Sequence, residues 1–324
     1  MGYSLNDNIL KKSFTTTIWK VGKTLFLVLS LALFSCSNSD DFEALAIESF
    51  PDRQGDFSMW QLAQFDFEVQ MGYIIRTDDG KIIVVDGGMP IAAQKVTGYL
   101  KQLGGRVHTW VITHPHVDHI GVLDDVVARK EIQIDRILHS KVNDEWVFQH
   151  EPINAQLVSF HNQKMADSGI PVIDVKKGEV YPIGKGINLK ILAVKNESII
   201  ENAINNSSVV LKIESKSKSV LFLGDLGVGG GEKLLKKIDS NELQADYVQM
   251  AHHGQNGVGL NFYKAVKADY ALWPTPKWLW ENRAHNQGPG SGSYQISEVR
   301  SWTENELDIK QNYVAGLEGN LQID

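Results

Sequence analysis

A chain of 324 residues, 43% hydrophobic and 22% charged, is long enough to bury a large core and has the balance of an ordinary globular protein. That composition excludes a disordered chain, a collagen and a protein of many membrane spans. Lys and Arg number 32 against 39 Asp and Glu, a net charge of −7, which argues against a polyanion such as duplex DNA as partner.

The first 36 residues read as an export signal set apart from the fold. Lys11, Lys12, Lys20 and Lys23 form a basic leader. Thr24 to Phe34 (TLFLVLSLALF) is an apolar run of signal-peptide length, too short to cross a bilayer as a helix. It ends in Leu33-Phe34-Ser35-Cys36, which resembles a bacterial lipobox. Cys36 is the single cysteine, so lipidation there is expected; an ordinary signal peptide or anchor that carries a cysteine is the alternative. Residues 37–57 read as a tether, and its start, Ser37-Asn38-Ser39-Asp40-Asp41, is similar to surface-export signals of some Gram-negative lipoproteins. These readings place the protein in the cell envelope, at the outer membrane, held by a lipid anchor. Residues 1–35 hold four lysines and one aspartate, so the mature chain keeps 28 basic and 38 acidic residues, a net −10. Its one thiol being acylated, it has no cysteine metal ligand or nucleophile.

Residues 58–324 read as one catalytic domain without repeats or linkers. Segments 69–76 and 81–86 are expected strands joined by the Asp79-Gly80 turn. Helical spacing over 91–103 ends at Gly104-Gly105. A buried strand over 107–113 leads into His114. Strands are expected at 132–138, 187–194, 208–214, 219–223, 246–251 and 268–273, and helices at 154–168, 231–239 and 293–305. Two short strands close the chain. Strands mixed with helices, with polar residues at strand ends, indicate an α/β layered domain with its site at a sheet edge.

The chemistry is concentrated in Thr113-His114-Pro115-His116-Val117-Asp118-His119. Four metal-capable side chains lie within six residues, and imidazole and carboxylate donors suit zinc and similar ions. In an extended loop the i, i+2 spacing lets His114 and His116 point the same way, while Asp118 and His119 turn toward a second position. One loop would thus serve two neighbouring metals.

HPHVDH resembles the HxHxDH signature of the metallo-β-lactamase fold superfamily, and the other marks follow in order over about residues 58–324. The resemblance implies a four-layer αβ/βα sandwich. It implies that Asp86, in Val84-Val85-Asp86-Gly87-Gly88, supports the metal loop from behind, and that Asp225, after Phe222-Leu223-Gly224, bridges both metals. In His252-His253-Gly254 one histidine completes the second site and the other meets substrate or moves a proton; either assignment is open. Among relatives the chain looks most like the hydrolase domain of the ComEC/Rec2 DNA-uptake proteins, through the "GD" strand end, "HHG" and the Asn-rich segment Asn205-Asn206-Ser207-Ser208-Val209-Val210-Leu211. Many members place a first-site histidine there. Here Asn205 and Asn206 are either weak neutral ligands or plain turn residues.

Each remaining residue has a plainer alternative. Asp86 could close a turn, and Asp225 could cap a helix. His285 resembles the late histidine of ComEC-like domains at the pocket mouth, or is a solvated loop residue. Trp278 and Trp280, beside Pro276, are candidates for pocket or lid; Trp273 and Trp302 read as core. His108, His139, His150 and His161 fit no ligand spacing and read as structural.

The implied activity is hydrolysis by a metal-bound hydroxide held by two divalent ions, zinc first and manganese as alternative, with Asp118 and His253 as catalytic residues. A phosphodiester or related ester, small or single-stranded, suits the ComEC-like motifs and the acidic surface. A β-lactamase or lactonase is the second reading, and a surface binding lipoprotein with a degenerate metal site the third.

Overall fold

The computed structural model describes residues 44–48, 50, 54–65, 67–284 and 287–324. The leader, Cys36 and His285 lie outside the described residues. Two seven-stranded sheets form the centre. The first runs, edge to edge, through Leu321–Ile323, Phe57–Gln61, Gly72–Thr77, Ile82–Asp86, Thr109–Val111, Ile137–His139 and Val172–Asp174. The second runs through Gln311–Val314, Tyr270–Trp273, Tyr247–Gln249, Ser219–Phe222, Val210–Glu214, Ile187–Ala193 and Val180–Gly184. Each sheet is half antiparallel meander and half parallel.

Alternation along the strands explains the layering. Tyr73, Ile75, Ile83 and Val85 of the first sheet meet Leu211, Ile213, Val220 and Phe222 of the second in a core between the sheets. The residues interleaved with them point the other way. Ile74, Ile82 and Val84 pack with Trp110 against Val96, Leu100, Ile120, Leu123 and Val126 of the helices Ala93–Gln102 and Val117–Arg129. Val210, Leu221 and Val248 pack against Leu234, Phe262, Val266 and Val299 on helices outside the second sheet. Strands apolar on both faces need a cover on each side, and the result is helix, sheet, sheet, helix. This is the four-layer α/β sandwich.

The Asp79-Gly80 turn joins Gly72–Thr77 to Ile82–Asp86, with Gly80 at φ 81°. The helix Val117–Arg129 was not among the expected elements: its first turn carries Asp118 and His119, so these two are helical and not part of an extended loop. Expected strand 132–138 divides in two, Gln133–Ile134 pairing with Arg106–Val107 in a small separate sheet and Ile137–His139 joining the first large one. A helical hairpin, Asp144–His150 and Pro152–Asp167, leaves and rejoins the first sheet and has a small apolar core of its own: Val142, Val147, Val158 and Ile204. Packing also reaches back before residue 58. Leu45 is buried in the helix-facing core and Ala46 accepts a hydrogen bond from Trp60 Nε1 at 2.8 Å, so part of the segment read as tether adheres to the domain. Among the described residues no helix is long and apolar enough to cross a membrane.

Candidate metal centre

Four parallel strands, two from each sheet, end at one edge and deliver the site. Asp86 ends Ile82–Asp86, the HPHVDH segment follows Thr109–Val111, Asp225 follows Ser219–Phe222, and His252 and His253 follow Tyr247–Gln249. A crevice outside the carboxyl ends of parallel strands is where open α/β sheets place ligands. Close approach demands special backbone there. Gly224 sits at φ 55°, and a Cβ on it would lie 2.8 Å from Thr113 Cβ and 2.9 Å from Ser208 Oγ, so a side chain there would clash with the segments that carry the site. Asp86, His252 and His253 adopt positive φ of 58°, 52° and 56° without being glycine, a conformation that marks functional sites when the surroundings hold it.

The structure gathers two donor groups around one carboxylate. Asp118, His119, Asp225 and His253 form one set, and His114, His116 and Asp225 the other; within each, one ligand atom per residue lies within 4.8 Å of every other. Asp225 Oδ2 is 3.3 Å from His119 Nε2, 3.5 Å from His253 Nε2 and 3.8 Å from both His114 Nε2 and His252 Nε2. His253 Nε2 is 3.0 Å from Asp118 Oδ2, and His114 Nε2 is 3.1 Å from His116 Nδ1. Donors about 2.1 Å from one tetrahedral ion are roughly 3.4 Å apart, so these spacings fit shared cations.

Partners behind the rings fix which nitrogen faces inward. Asp86 Oδ2 accepts from His119 Nδ1 at 2.7 Å and from Thr113 Oγ1 at 2.8 Å, while its Oδ1 accepts from the Thr113 backbone N–H at 2.7 Å. Pro274 O, which can only accept, takes the His253 Nδ1 proton at 2.7 Å. Both rings therefore turn Nε2 toward Asp225, the nitrogen that a cation would take once its proton is released. His114 Nδ1 faces the hydroxyls of Thr113 at 3.1 Å and Ser208 at 3.3 Å. Several buried atoms at the centre have no hydrogen-bond partner among the described residues: His119 Nε2, Asp225 Oδ1, Asn205 Oδ1 and His252 Nδ1. Buried polar atoms are rarely left so, and a cation would satisfy those that face the cluster. The residues present fit a divalent metal.

Charge points the same way. Burial works against ionisation of Asp225, yet His119, His253 and His252 hold its carboxyl well below the usual range. Burial pulls His119 down, but Asp225, Asp118 and Asp86 raise it well above an ordinary imidazole. Against the same burial, Asp225 and Asp118 lift His253 to about 10. His114, by contrast, is pushed well down by burial and then by the neighbouring His119. With no cation bound, protons on His119 and His253 are the positive charge that the carboxylates demand.

Other expected residues have different surroundings. His252 keeps 21% of its side chain exposed on the open side of the cluster, whereas His253 is enclosed. Asn205 is buried beside His252, its Nδ2 3.4 Å from His252 Nε2 and donating to Asn202 Oδ1 at 2.9 Å. Asn206 is turned away: its Nδ2 donates to Glu201 O and its Oδ1 accepts from the Gly230 N–H, so both ends of the amide are spent on the backbone. Trp280 packs edge-on to Trp273 at 5.0 Å with Arg300 over its face at 4.2 Å, and Trp278 packs edge-on to Tyr294 at 5.5 Å. Both are partly buried against the helix-facing packing of the second sheet. His108 accepts from the Ile82 N–H, and His161 pairs with Asp124; His139 is buried. Sequence reasoning missed Glu151, whose Oε1 accepts from His116 Nε2 at 2.6 Å. No local spacing marks it, because its partner is 35 residues away.

The profile of the Metallo-beta-lactamase superfamily matches residues 66–180. No curated protein matches the sequence. Among solved structures, the metallo-β-lactamase fold protein YhfI from Bacillus subtilis superposes with a TM-score of 0.51 at 11% identity, covering 83% of this chain and 100% of its own. Igni18, a metallo hydrolase from the archaeon Ignicoccus hospitalis, gives 0.51 at 14% identity over 83% of this chain and 99% of its own. A variant of the CmlA β-hydroxylase gives 0.50 at 14% identity, over 85% of this chain and 54% of its own. Four layers, a site at the strand ends and these likenesses agree: this chain has the metallo-β-lactamase superfamily fold.

Proposed function

We propose that this chain is a metal-dependent hydrolase that cleaves a phosphodiester or related ester at a pair of divalent cations, zinc first and manganese as alternative. The observation that carries the reading is the position of Asp225, one carboxylate common to two donor sets. Bound cations there supply Lewis acidity and acidify water. His114, His116 and Asp225 hold the first position; Asp118, His119, His253 and Asp225 hold the second. Asp118, 14% exposed, is the carboxylate at the open side that can take a proton from an attacking water. His252 is placed to meet the substrate or protonate its leaving group.

The net −10 of the mature chain and the likeness of its Asn-rich segment to ComEC-type domains support a small or single-stranded substrate over duplex DNA. The basic leader, the apolar run and Cys36 support export and a lipid anchor at the outer membrane. Metal analysis together with assays on bis-p-nitrophenyl phosphate, a lactone and a β-lactam tests the activity, with Asp118→Ala as control. Bound divalent metal and phosphodiester cleavage that disappears in Asp118→Ala are expected. Activity on the lactone or β-lactam alone would reassign the substrate, and a protein that retains no metal would sink the reading.

A further inference from the structure

Glu151 belongs to none of the motifs above, yet three elements meet on its carboxylate. It sits between the two helices of the hairpin, at φ −148° and ψ 60°. Its Oε1 accepts from His116 Nε2 at 2.6 Å and from Asn154 Nδ2 at 2.7 Å, and its Oε2 accepts from the Ile204 backbone N–H at 3.0 Å. With Nε2–H committed to Glu151, His116 presents a bare Nδ1 toward His114.

Ile204 is joined to the hairpin twice. Its N–H goes to Glu151, and its side chain is buried in the hairpin's own core with Val147 and Val158. The residue after it is Asn205. The hairpin thus grips His116 of the first cation position and the turn that carries Asn205. The second position is held otherwise: His119 leans on Asp86 at a strand end, and His253 on the Pro274 carbonyl.

We propose that Glu151 is the positioning residue of the first cation position. Through it the 144–167 hairpin sets the occupancy of that position while leaving the second untouched. The proposal rests on the reading of the cluster as a metal centre. A carboxylate behind a ligating imidazole contributes about tenfold to a hundredfold in metal affinity. Glu151→Gln keeps the shape but loses the charge, and sets an amide N–H₂ against either His116 or Ile204.

The test is a Co²⁺ titration of the whole exported chain against a chromophoric chelator, followed by visible absorption, with metal-free melting as a check on folding. Two ions are expected for the wild type. In Glu151→Gln the weaker should bind about tenfold to a hundredfold less tightly, the tighter should hold within about twofold, and excess Co²⁺ should restore the spectrum. Asn154→Ala, which removes only a bond to the same oxygen, should weaken the same ion by a smaller factor and serves if Glu151→Gln does not fold. In a His116→Gln background the Glu151 effect should vanish. Equal weakening of both ions, or none, overturns the proposal with the metal-centre reading intact. A wild type that binds no ion overturns both.

Discussion

The two donor groups of the candidate metal centre are unequally built. The second position draws on two carboxylates, Asp118 and Asp225, and two imidazoles, each held from behind by a strong acceptor. The first has two imidazoles and only a share of Asp225; His114 leans on two hydroxyls, and any fourth protein donor would be the neutral amide of Asn205. Electrostatic attraction for a divalent ion is therefore greater at the second position. If two cations bind as proposed, the one at the second position would anchor the site and the one at the first would exchange more readily. The comparison predicts an order of filling, second before first.

The largest effect should come from removing what both share. Asp225→Ala deletes a donor from each position and leaves His119 and His253 without their main counter-charge. Hydrolysis should fall by on the order of 10³-fold, the equivalent of several kcal/mol of lost metal stabilisation. Metal analysis should show loss at both positions. Retention of one full equivalent would break the idea of a bridging carboxylate.

Acid should discriminate between the positions next. His119 and His253 hold protons that a cation must expel, while His114 is already neutral. Affinity at the second position should fall as pH falls, by up to about tenfold per unit for each proton expelled, and affinity at the first should change less. Calorimetry in buffers of different ionisation enthalpy counts those protons. The sign reverses for the metal-free protein. A histidine raised from 6.5 to about 10 contributes stability that is complete below pH 6.5 and lost as pH rises through 10. Stripped of metal, the protein should melt lower at pH 9.5 than at pH 7, and metal should abolish the decline.

Asp86→Asn is a milder blow to the second position alone. It leaves the Thr113 contacts nearly in place but removes the charge behind His119 Nδ1 and permits the wrong tautomer. Affinity at the second position should drop about tenfold to a hundredfold with the first unchanged. A drop at both would mean that Asp86 acts through the shared loop and not through one ring.

How much of this the primary structure discloses depends on distance along the chain. His114, His116, Asp118 and His119 are legible because four donors crowd into six residues, and the strands are legible because apolar side chains run through both faces. The helix Val117–Arg129 carried its signal too, in Ile120, Leu123, Val126 and Val127, but its first turn is taken up by ligands that read as a loop, and His116 offers no side-chain cap. Glu151 and Ser208 carry no local mark, since they meet their imidazoles across 35 and 94 residues. Asn205 and Asn206 look alike as neighbours in a turn. Only the placement of the Gly230 N–H and the Glu201 carbonyl spends one amide and spares the other.

That spared amide gives the smallest and most discriminating prediction. Asn205 Oδ1 is buried and unpartnered among the described residues, while its Nδ2 is tied to Asn202. A neutral oxygen adds less to a cation than a carboxylate or imidazole does, so Asn205→Ala should weaken the first ion by only a few-fold. Asn205→Asp adds a charge at the same place and should tighten that ion, narrowing the gap between positions. If the carbonyl plays no part in binding, both variants should leave the Co²⁺ titration unchanged at either position. The inequality would then lie wholly in how many carboxylates each ion can reach.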